Sequence, residues 1–161
     1  MIVTNLGRAA LGVLLAGLAY ARAAAGAEPS IHIVDAWARA TPPGVENGAV
    51  YCKIQSHGGA DRLVDARSSA ARTVEIHESV ARNGVVEMHR IDALALETGA
   101  SVELAPGGTH VMLVGLVAPL VAGAKIEVSF VFATAGVVTV EVPVVDARAP
   151  PAVHEREHHG Q

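Results

Sequence analysis

Four side chains in this sequence could hold a soft metal ion: His77, Met88, His110 and Met112, spaced as H-x10-M-x21-H-x-M. An imidazole nitrogen offers its lone pair to zinc, copper, nickel or iron. A thioether sulfur is neutral and soft; it binds hard cations poorly, and soft ligands select Cu(I). Two nitrogens and two sulfurs suit that closed-shell ion, whose filled d shell imposes no geometry. A thioether has no proton to lose, so binding at the two sulfurs does not compete with acid. Nor can it be locked into a disulfide, as a cysteine can in an oxidising compartment. An isolated methionine ordinarily fills a gap in a core, and an isolated histidine is ordinarily a surface group. Here the chain has three methionines among abundant leucine and valine, and both of those after Met1 fall into the pattern. A core so rich in aliphatic residues had no need of them as filler.

These residues need strands to position them. Apolar and polar residues alternate over 31–37, 49–55, 73–79, 85–90, 101–104, 110–116, 125–132 and 137–144, the period of half-buried strands. Turn-forming clusters separate them, among them "TPPGVENG", "SHGGAD", "RNG" and "PGG". No long segment repeats every 3.6 residues. Many short strands with tight turns predict an all-β fold, a Greek-key sandwich or barrel. Residues i and i+2 of a strand share a face about 6.6 Å apart. His110 and Met112 therefore project together while Val111 and Leu113 enter the core. On 73–79, Val74 and Ile76 turn inward, leaving Thr73, Glu75 and His77 outside. Met88 follows the "RNG" turn, so three strands can bring the four side chains to one end of the sandwich. "PGG" at 106–108 presents His110 at the rim. Because these ligands face outward, replacing one is expected to leave the fold intact. Trp37, the only tryptophan, reads as a core aromatic.

Residues 1–27 read as a cleaved export signal: Arg8, an apolar run from Ala9 to Tyr20, then small residues up to Ala27. The run falls short of the roughly 20 residues a spanning helix needs, so no membrane span is expected after cleavage. Residues 28–146 are expected to form one domain, and 147–161, which contains Pro150-Pro151 and loses the apolar alternation, a flexible tail. Losing Arg8 and Arg22 takes the formal charge from −4 to −6. An acidic domain without a basic stripe is a poor partner for nucleic acid. Cys52, the only cysteine, excludes an intrachain disulfide; it shares a strand face with Val50 and Ile54 and reads as a small buried hydrophobe.

The ligand spacing, with the blocks "DAWARATPPGVENGAVY" (35–51), "VEIHE" (74–78) and "LAPGGTHVMLVGLVAPLVAG" (104–123), resembles the periplasmic copper chaperones called PCu(A)C. The likeness runs from about Asp35 to Val144. It implies a cupredoxin-like β-sandwich carrying one exposed Cu(I) on His77, Met88, His110 and Met112, and a periplasmic location. It also implies a thiolate-containing copper acceptor as partner, a cytochrome c oxidase subunit or its assembly factor, and delivery to the binuclear copper centre. Glu78 stands where many members carry methionine; strand alternation turns it away from His77.

Thioethers donate more weakly than thiolates, so an acceptor with deprotonated cysteines can draw Cu(I) away by stepwise exchange. That favours a carrier over an enzyme, and the chain has no nucleophile elbow or phosphate loop. A blue-copper electron carrier needs a cysteine thiolate beside its histidines, and none lies near "HVM". Copper storage or tolerance, and an interaction module with incidental histidine and methionine, are the alternatives. "HEREH" (154–158) formally matches a zinc-protease pattern but follows two prolines at the end of the chain, without the helix, third ligand and cleft that chemistry needs. His154, His158 and His159 could instead take Cu(II) or zinc. His32, His57 and His89 have no partner at ligand spacing and read as surface histidines.

Overall fold

The computed structural model describes residues 30–146; the expected leader (1–27) and tail (147–161) lie outside them. Every regular element among the described residues is a strand: β1 (Ile31–Arg39), β2 (Asn47–Ser56), β3 (Asp61–Arg67), β4 (Ala71–Arg82), β5 (Val85–Arg90), β6 (Leu94–Leu96), β7 (Ser101–Leu104), β8 (His110–Leu116), β9 (Lys125–Phe132) and β10 (Gly136–Val145). None of them is a helix that could cross a membrane.

One layer runs β5-β4-β8-β2-β1, with β7 paired to the far half of β2; the other runs β10-β9-β3-β6. A short parallel ladder, Ala38 to Val144 and Arg39 to Val145, joins them. The inward residues of both layers meet in one core: Val50, Ile54, Val111 and Leu113 from the first, Val128, Phe130 and Val142 from the second, all fully buried. This is the expected all-β, cupredoxin-like sandwich. Cys52 lies in the same core, and burial pushes its thiol up to about 12.

Two strands were not legible. In β3, Asp61, Leu63 and Ala66 face inward, and the register shift between Leu63 and Asp65 breaks the two-residue period. β6 has only three residues. A second irregularity corrects the expectation for Trp37. Strict alternation from Ile31 and Ile33 would carry Asp35 and Trp37 inward. Instead β1 bulges between Val34 and Trp37, with Asp35 at φ 52°. The slip sends Ala36 and Ala38 to the core and Trp37 to the outer face, where it packs on Tyr51 with ring centroids 4.5 Å apart.

Candidate metal centre

β4 and β8 are neighbours, and their register sets His77 directly opposite His110 and Glu75 opposite Met112. Directly opposed residues in an antiparallel pair share a face. Ile76 and Val111, one position away, oppose each other in the core, so His77, His110 and Met112 stand together on the outer face. Met88 joins them from β5: it opposes Ser79, two residues beyond His77. The β4–β5 hairpin closes through Asn83 (φ 52°) and Gly84 (φ 79°), the two-residue turn in which both central residues have positive φ. Met88, His110 and Met112 line one open groove of ≈ 390 Å³, together with Tyr51, Ser79 and Gly107. His77 is not in that lining; its ring lies beside His110, centroid to centroid 6.0 Å.

The four side chains differ in exposure. Met88 is 53% exposed. His110, expected at an open rim, is instead buried, at 5% exposure. Tyr51 sits 6.2 Å from it, ring to ring, and the Ala105–Thr109 turn folds alongside. Within that turn the Gly108 carbonyl accepts the Ser79 N–H at 3.3 Å and lies 3.0 Å from His110 Nδ1. A carbonyl can only accept, so Nδ1 carries the proton and the lone pair is left on Nε2.

His77 has the opposite arrangement. Its Nε2 lies 2.7 Å from Glu75 Oε2, and Glu75 Oε1 faces Arg90 at 3.6 Å. The carboxylate accepts, so Nε2 is the protonated nitrogen. Nδ1 is then a buried atom with no hydrogen-bond partner. Leaving a buried acceptor unsatisfied costs about 1–3 kcal/mol, and a cation is one way to satisfy it. The two ring nitrogens with available lone pairs thus belong to neighbouring histidines on a face that also carries two thioethers. Sequence reasoning placed Glu75 on this face and gave it no role; the signal was the two-residue spacing in "EIH".

Among the described residues no group of three or more His, Cys, Asp or Glu is placed to hold a metal ion. Cys52, on the core face of β2, cannot supply a thiolate here. Glu78 is exposed, opposite His89, and turned away from His77. His89 is on the surface beside Glu87. His32 and His57, given no partner by their spacing, meet edge to face with centroids 5.0 Å apart, far along β1 and β2 from the site. His154, His158 and His159 lie outside the described residues.

Residues 31–144 match the model of the LpqE-like lipoprotein family. Protein Lxx21020 of Leifsonia xyli subsp. xyli, named as a lipoprotein, is 37% identical over 118 residues, 72% of this chain and 70% of that one. Among solved structures, a copper-bound PCuAC domain from PmoF2 superimposes with a TM-score of 0.63 at 30% identity, over 73% of this chain and 93% of that one. The apo form of that domain gives 0.64 at 32% identity, over 76% and 95%.

Proposed function

Since this chain belongs to the LpqE-like family, the family of the PCuAC domains, we propose that it is an exported copper chaperone. It takes one Cu(I) on His77 and His110 and on the sulfurs of Met88 and Met112, and passes it on without chemical transformation. The observation that carries this reading is the convergence of two imidazoles and two thioethers from β4, β5 and β8 on one face. A soft neutral donor set with a buried unpartnered nitrogen fits a soft monovalent ion better than a hard divalent one. The exposed Met88 supplies the release step: it is the ligand an incoming acceptor can displace first, before the half-buried His77 and the buried His110.

The acceptor is a protein with deprotonated cysteines, in this reading the binuclear copper site of cytochrome c oxidase or a factor that assembles it, and the setting is the periplasm. Capture of Cu(II) by His154, His158 and His159 is a separate part of the proposal, which a chain ending at residue 146 would lack. The test is a Cu(I) competition titration followed by mixing with a dithiol acceptor. One tightly held equivalent, transferred to the thiols, is expected; absence of stoichiometric uptake leaves an interaction module with incidental histidine and methionine. Uptake without transfer favours storage.

A further inference from the structure

We propose that Glu75 is a positioning residue that presents Nδ1, rather than Nε2, of His77 to the metal; this rests on the copper reading above. A histidine can bind a metal through either nitrogen, and the hydrogen bond made by the other decides which one. Here the two histidines are held in opposite senses. Gly108 takes the Nδ1 proton of His110 and frees Nε2; Glu75 takes the Nε2 proton of His77 and frees Nδ1. The buried, unpartnered Nδ1 is what this arrangement leaves behind.

Glu75 suits positioning better than ligation. Each of its oxygens already faces a partner, His77 on one side and Arg90 on the other. Its backbone belongs to the central part of β4, paired with Met112, so the carboxylate is anchored between two proposed ligands. A carboxylate bonded to the far nitrogen of a ligating ring also raises the basicity of the near one, and losing such a partner typically costs 10–100-fold in metal affinity. The two histidines would then meet one ion through different nitrogens, each fixed before the ion arrives.

Because Cu(I) is diamagnetic, nitrogen-15 NMR of the histidine rings in the full chain, with and without Cu(I), reads this directly. Loading is expected to shift His77 Nδ1 and His110 Nε2, while His77 Nε2 and His110 Nδ1 keep their protons. Glu75→Ala should weaken Cu(I) binding by about 10–100-fold, and Glu75→Gln, whose side-chain carbonyl still accepts the Nε2 proton, should restore most of it. A copper-bound His77 Nε2, Glu75→Ala binding like the parent, or no rescue by glutamine overturns the inference while leaving the copper reading standing. Failure of the parent to take up Cu(I) overturns both.

Discussion

At the scale of single residues, the two proposed sulfur ligands and the two histidines should respond differently to substitution. Met88 is half exposed and opposes only Ser79 on β4. Met88→Leu keeps its bulk and removes the sulfur, so it should leave unfolding free energy within about 0.5 kcal/mol of the parent. Cu(I) affinity should nonetheless fall by more than the roughly 100-fold upper range for losing an outer partner of a ligand. His110→Ala should weaken copper comparably and also destabilise the fold, by about 1–3 kcal/mol, because the ring is buried and bonded to Gly108. Denaturant titrations beside the metal titrations separate the two effects. The outward direction of His110 was legible from its alternation with Val111 and Leu113. Its burial was not, because the cover comes from Tyr51, some sixty residues earlier, and alternation within one strand says nothing about what lies over its outer face.

Among the elements, the β8 register was legible because the buried Val111 and Leu113 alternate with His110 and Met112, and a slip of one would bury His110 and Met112 in the core. β3 and the second half of β1 were illegible because bulges break that period. β3 also carries Asp61, a buried carboxylate that accepts the backbone N–H groups of Thr134 at 2.9 Å and Ala135 at 2.8 Å, tying β3 to the β9–β10 turn. Burial alone pushes this carboxyl up, but the N–H groups of Arg62, Ala135 and Thr134 outweigh it and hold the group below its ordinary value of 3.8. A carboxyl depressed by folding stabilises the native state above its unfolded pKa and ceases to do so as pH falls through the folded one. The parent should therefore be more stable than Asp61→Asn near neutrality, with the gap closing below pH 3.8. Unfolding curves across that range check it; a gap independent of pH would mean that shape, not charge, sets the role of Asp61.

For the whole molecule, the sandwich is a frame whose β4–β8 pair sets the histidines, while the β4–β5 hairpin carries Met88 at the edge. The general architecture was legible because eight of the strands announce themselves by alternation or turn chemistry. The two-rung ladder between β1 and β10 was not, since nothing local to either strand specifies a parallel neighbour. Nor was the chain Arg90–Glu75–His77, which depends on how β4 and β5 align. X-ray absorption at the copper edge of the Cu(I)-loaded protein tests the central claim most directly, because it counts the atoms around the ion. Two sulfur and two nitrogen neighbours in the parent, with one sulfur lost in Met88→Leu, are expected. An all-nitrogen or oxygen shell, or a sulfur count unchanged by Met88→Leu, would contradict it.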